Sequence, residues 1–254
     1  EMLRSLVGSE MCIRDRLSDS DMTISEGNLQ VSTTNTGSVG SSFFVSTGIW
    51  YWEIYLESKP TNFDQQYGII EDYSALASYL GTNTKSRAFV VATGNRIYNG
   101  SQSDTSLGNG VAGDVWSLLL DMDKGEWKAS RNGGAYDVMH NDLVNPQSPA
   151  IGCNGSGGGI AVINFGQDST FAGNKTPTKV YTDSNGQGRF YYEPPVGALA
   201  LCSRNIDTPK NVPSTYIVDE TNNNMLTYNG NAAISTFSPY ATDGYSICLL
   251  YTSP

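Results

Sequence analysis

Basic residues are scarce in this chain. Lys and Arg number 15 against 25 Asp and Glu, a formal charge of −10, and the isoelectric point lies near 4.5. Binding to a phosphate backbone is driven mainly by cations that displace counterions, so this balance argues against nucleic acid as a partner. It disfavours an anionic membrane surface for the same reason. Long apolar runs are also missing: the longest, residues 116–120 and 198–202, fall far short of the roughly 18 residues of a spanning helix. Membrane insertion is therefore not expected. Charged residues make up only 16% of the chain, too few for a coiled coil or a disordered polyelectrolyte.

The N-terminus has no secretory pattern, because residues 1–16 (EMLRSLVGSEMCIRDR) scatter charges where an apolar segment would stand. This stretch resembles a translated sequencing-adapter tail, and residues 248–254 (CLLYTSP) resemble the matching tail at the other end. Both are set aside from fold reasoning, the alternative for the first being a native, disordered arm. The charges of the first segment, Glu1, Arg4, Glu10, Arg14, Asp15 and Arg16, cancel. Without the tails only Cys153 and Cys202 remain of the four cysteines, no disulfide framework but two expected buried thiols. The missing initial Met and the abrupt end lead us to expect a fragment of a longer product.

What is present is Gly, with 27 residues, and an aromatic content of 11%, arranged with period two. In residues 50–57 (WYWEIYLE), Trp50, Trp52, Ile54 and Leu56 share one face, and Tyr51, Glu53, Tyr55 and Glu57 share a second, wetter one. The same alternation groups Trp116, Leu118, Leu120 and Met122, then Trp127 and Ala129. Asp123, Lys124 and Gly125 supply the hairpin loop between these strands and Asn132-Gly133 the next turn. Residues 150–153 and 160–165 bracket the loop NGSGGG and predict a further hairpin. Only Tyr73, Leu76, Ala77 and Leu80, stopped by Gly81, have helical spacing. Many short strands punctuated by turns predict an all-β antiparallel β-sandwich. Residues 203–214 (SRNIDTPKNVPS) read as an exit linker, and a strand is expected near residues 225–228.

Residues 48–56 (GIWYWEIYL), 67–71 (YGIIE) and 113–133 (GDVWSLLLDMDKGEWKASRNG) resemble the SPRY family in their order of strand, acidic turn, strand and Asn-Gly. Asp121, Asp123, Gly125, Arg131, Asn132 and Gly133 stand in the places of that pattern. Asn164-Phe165-Gly166 with residues 190–202 (FYYEPPVGALALC) resembles the version found in phage and environmental viral structural proteins. Ser130-Arg131 and the polar excursion over residues 172–187 depart from the pattern. The resemblance implies a concanavalin-like, SPRY-type jelly-roll sandwich over residues 22–206, acting as a binding module whose loops choose the ligand. Residues 207–247 then hold a linker and the start of a truncated module, where residues 237–246 resemble the lead-in to a laminin-G-like domain.

Candidate chemistry is thin. His140, the only histidine, is expected on a surface loop, away from any nucleophile elbow. No Cys/His spacing suits zinc. Asp121, Asp123 and Glu126 invite comparison with glycosidase carboxylates, but Gly125 interrupts them and the trio reads as a hairpin turn. A calcium loop of the EF-hand type needs Gly one place later. The glycines at 155–159 are followed by no Lys-Ser/Thr and no helix, so they form no phosphate cradle. Sequons at Asn99, Asn154 and Asn174 matter only in a eukaryotic secretory product. Catalytic, metal and cofactor residues are all expected to be none. The useful hint is aromatic: Tyr73, Tyr79, Arg96 and Tyr98 lie in or beside segments flanking strands, and Tyr79, Arg96 and Tyr98 are the candidates for a ligand surface.

The expected function is non-catalytic adhesion by a viral structural protein, such as a phage tail or fibre, through a host surface glycan or protein. Its location would be virion or extracellular, with a homo-oligomer in the virion as a further expectation. The alternatives are a purely architectural spacer and, from the enzyme class, a glycoside hydrolase.

Overall fold

A computed structural model describes residues 21–59, 64–155, 158–202 and 204–205, together with the backbone of 216–219 and 224–227. The adapter-like tails, residues 203 and 206–214 of the linker, and residues 237–246 lie outside these residues. The chain divides into two units, Glu1–Ile206 and Asp207–Pro254.

The first unit contains β1 (Met22–Ser25), β2 (Gln30–Thr33), β3 (Gly37–Gly40), β4 (Ile49–Ser58), β5 (Asp64–Ile70), β6 (Ser86–Val90), β7 (Arg96–Tyr98) and β8 (Ser101–Ser103). It continues with β9 (Val115–Asp121), β10 (Glu126–Arg131), β11 (Asp137–His140), β12 (Ser148–Asn154), β13 (Gly159–Asn164) and β14 (Leu199–Ala200). One sheet runs β1-β2-β13-β4-β9-β10-β11 and the other β3-β12-β5-β6-β7-β8. Apart from β14, which pairs parallel with β4, all their ladders are antiparallel. β14 meets β4 at Trp50 and Tyr51, where β13, paired from Glu53 onward, has ended. The antiparallel β-sandwich is thus the fold.

Period-two alternation does the sorting. Trp52, Ile54 and Leu56 of β4, Trp116, Leu118 and Leu120 of β9, and Trp127 and Ala129 of β10 point between the sheets, where they meet Tyr67, Ile69, Phe89 and Ile151 from the opposite side. The β9–β10 register pairs Asp121 with Glu126 across the predicted turn. Asn132, at φ 52°, closes the next one: its Oδ1 accepts from Val115 N at 2.9 Å and its Nδ2 donates to Asp114 at 2.6 Å.

Three expectations are corrected. The wetter face of β4 is dry: Tyr51 and Glu53 are fully buried and Tyr55 nearly so, because the chain after β13 folds back over it. Phe190, Ala198, Ala200 and Cys202 cover Tyr51 and Leu119, while Phe171, Tyr191 and Tyr192 cover Tyr55, Val115 and Val162. The polar excursion is part of this strap, and Asp183 organises it by accepting from the backbone of Asn185, Gln187 and Ala200.

Secondly, β12 and β13 are no hairpin. β12 pairs with β3 and β5, and β13 with β2 and β4, so the glycine-rich loop carries the chain from one sheet to the other. Thirdly, the helical segment is a 3-10 turn, Tyr73–Ala77, which buries Ala75 and Leu76 and leaves Ala77 exposed. With three residues per turn, the stripe drifts away from the α-helical spacing. Leu76 and Leu80 cover Ile70, Ala88, Val90 and Ile97 on the outer face of the second sheet.

In the second unit, β15 (Tyr216–Asp219) and β16 (Asn224–Thr227) pair antiparallel, overlapping the strand expected near residues 225–228. No helix among the described residues is long and apolar enough to cross a membrane.

Candidate functional site

The carboxylates of the β9–β10 turn are engaged in shaping it. Asp121 accepts from Lys124 N at 3.0 Å and pairs with its ammonium at 3.1 Å, Asp123 accepts from Gly48 N at 2.8 Å, and Glu126 pairs with Lys128 at 2.6 Å. They form a turn, as their spacing implied. The described residues contain no group of three or more His, Cys, Asp or Glu placed to share a metal ion. Cys153 and Cys202 are buried free thiols.

The three candidate ligand residues do not share one surface. β7 alternates, so Ile97 packs on the outer face of the second sheet, in the cluster that Tyr79 also joins. Arg96 and Tyr98 lie on the opposite, inner face, where the edge of this sheet approaches the edge strand of the other. There Arg96 Nη1 donates to the Val138 carbonyl of β11 at 3.5 Å. The Tyr98 ring meets the His140 ring edge-on at 5.6 Å. Arg96 and Tyr98 are brought together at a rim between the sheets, and Tyr79 is placed on the far side.

His140 belongs to that rim and not to a surface loop. It ends β11, its side chain is only 10% exposed, and its ring stacks on Trp127 with centroids 6.2 Å apart and planes 6° apart. A register shift in the β10–β11 ladder sets Trp127 opposite His140 and Lys128 opposite Val138, so Met139 is the extra residue. Such bulges re-aim side chains at sheet edges. Burial and the nearby guanidinium groups of Arg87 and Arg96, opposed only by Asp142, push the imidazole down to about 4, so it is neutral at ordinary pH.

Arg87 of β6 holds the rim together. Its guanidinium lies over the Tyr98 ring at 4.7 Å. It donates through Nε and Nη2 to the two oxygens of Asp142, each at 3.2 Å, and through Nη1 to Glu71 at 2.7 Å. Glu71 also accepts from Asn145 at 2.9 Å, and Leu143 N donates to the Gly125 carbonyl at 3.1 Å. The loop from β11 to β12 is therefore fastened to both sheets while Val144 stands 86% exposed. Fork-to-fork guanidinium contacts fix orientation as well as charge. Sequence reasoning missed Arg87, Glu71, Asp142 and His140 as a group. Glu71, Arg87 and the pair His140 and Asp142 lie apart in the chain, and no spacing signals a cluster assembled from β6, β11 and two loops.

No protein-family model matches the chain, and no curated protein matches it in sequence. Solved structures do. The SPRY domain of human HERC1 matches with a TM-score of 0.52 at 17% identity, over 59% of this chain and 96% of that one. The PSpry domain of TRIM65 matches with a TM-score of 0.49 at 14% identity, over 60% of this chain and 90% of that one. At this identity the HERC1 match bears on fold alone, and it agrees with the two sheets described above: the first unit carries a SPRY-like β-sandwich.

Proposed function

We propose that this chain is a non-catalytic recognition module that engages a partner protein at the rim formed by β7, β11 and the β11–β12 loop. The observation that carries this reading is the fastening of that loop: Arg87 ties it to the second sheet through Asp142, and Arg96 and Tyr98 stand beside it half-buried, an aromatic and a cation in one place. A surface held in its bound shape loses little entropy on binding, and Tyr and Arg are the side chains that anchor interfaces. The SPRY-like fold supports the reading by analogy, because its variety of loops is displayed on one scaffold. The resemblance of residues 164–166 and 190–202 to viral structural proteins supports a place on a virion, in a tail or fibre, with a host surface protein or glycan as the target.

The test is selection of binders from a displayed random-peptide library, run beside a host-envelope glycan array, with product masses followed on the array. Peptides whose binding falls at least about tenfold in Arg96→Ala/Tyr98→Ala but not in Tyr79→Ala would establish the rim as a protein site, since anchor residues each contribute more than about 1 kcal/mol. Glycan binding without cleavage would move the target to a saccharide, and new saccharide masses would overturn the non-catalytic reading. Silence on both would leave an architectural spacer.

A further inference from the structure

Two guanidinium groups crowd His140: Arg87 and Arg96 stand there with Glu71 and Asp142, Asp137 at the start of the same strand accepts from Ser106 N, and on the neighbouring strand Lys128 is satisfied by Glu126. Tyr98 of β7 and Trp127 of β10 supply the walls around the ring. His140 Nε2 is buried without a hydrogen-bond partner, and Nδ1 lies 3.9 Å from Asp142 Oδ1. An imidazolium must donate from both nitrogens. Its Nε2 proton would face no acceptor, and its Nδ1 proton lies beyond hydrogen-bond reach of Asp142 Oδ1, so meeting it draws that carboxylate towards the ring and strains its two contacts with Arg87. Either course weakens the contact between the sheets at this edge. The strand concerned is short, bulged and at the end of its sheet, and such edges open at the least cost.

We propose that this rim is an acid-released clasp: protonation of His140 detaches β11 and the β11–β12 loop from β6 and β7. The sign follows from linkage. The imidazole is held below its unfolded value, so the clasp is at full strength above about pH 6.5 and weakens as pH falls towards about 4. The device concerns the same rim as the proposed recognition surface but does not depend on anything binding there.

The chain has one histidine, so its ring signal is unambiguous in the isotope-labelled full chain. Nuclear magnetic resonance would follow the ring titration and the amide exchange of residues 137–142, corrected for intrinsic rates and referenced to β9. The expected result is a ring midpoint at about 4. The opening constant of β11 should rise about 70-fold between about pH 7.5 and about pH 4.5, and this rise should be absent in His140→Phe, which keeps the ring stack but cannot take a proton. A ring midpoint near the ordinary value of about 6.5 would overturn the proposal. So would an equal acid response in His140→Phe, which would assign the opening to Asp142 instead. The midpoint and the β11 exchange are both read on the unaltered chain, so a normal midpoint, or exchange that does not rise with acid, overturns the proposal even if the variant fails to fold. Neither readout uses a ligand, so the clasp can fail while the recognition surface stands, and the reverse.

Discussion

Glu53 shows how one side chain can fasten a whole segment. It is fully buried, and burial raises its carboxyl above the ordinary value, opposed by the hydrogen bonds it accepts. Tyr51 Oη and Tyr192 N donate to Oε1 at 2.9 and 2.8 Å, while Asn164 Nδ2 and Tyr191 N donate to Oε2 at 3.0 and 2.9 Å. The strap is thereby held to the outer face of β4. Replacement Glu53→Ala leaves the Tyr191 and Tyr192 amides without their acceptor, while Tyr51 Oη keeps Ser117 and Asn164 Nδ2 keeps the Arg189 carbonyl, and we expect a loss of about 3 kcal/mol in urea unfolding. Because the folded carboxyl is raised, its ionisation costs stability as pH climbs from the unfolded value through the folded one. Alternation marked Glu53 as wet because period two assigns faces without saying what covers them.

At the scale of elements, the close approach of β5 and β6 has a single weak point. A Cβ on Gly68 would stand 2.3 Å from the Arg87 carbonyl and 2.9 Å from the Ala88 side chain. Backbone cannot yield there, so Gly68→Ala should cost about 1–3 kcal/mol, seen as a lower midpoint in thermal unfolding. The change also displaces Arg87, so the acid response of the rim should shift with it. The β9–β10 hairpin and the Asn132-Gly133 turn were legible in the sequence, because turn chemistry is local. The β12–β13 connection was not. A glycine-rich loop joins neighbours in one sheet or strands across the core equally well, and only the long-range partners β3, β5, β2 and β4 decide between them.

At the scale of the molecule, the strap makes the first sheet a middle layer. Its inner face packs on the second sheet, while Phe171, Phe190 and Tyr191 close its outer face. A chain spanning residues 21–206 should unfold in one cooperative urea transition followed by tryptophan fluorescence. One ending at residue 165 would expose Tyr51, Tyr55, Leu119 and Val162 together and should elute as aggregate in size exclusion. A soluble, cooperative monomer from the shorter chain would show the strap to be dispensable.

The sequence by itself determined the fold class, the principal strands and their core-facing residues, because period two and turn propensity are properties of neighbours along the chain. It read Arg96 and Tyr98 as lying in or beside segments flanking strands, whereas they form β7 itself. Only the tertiary structure decided which face of β4 is covered, which sheet receives β13, and that Tyr79 and Tyr98 lie on opposite sides of a sheet. It alone brought His140, Arg87, Glu71 and Asp142 to one rim. These are contacts between residues distant in the chain, and their partners are chosen by the packing of two sheets and a strap, which no local pattern encodes.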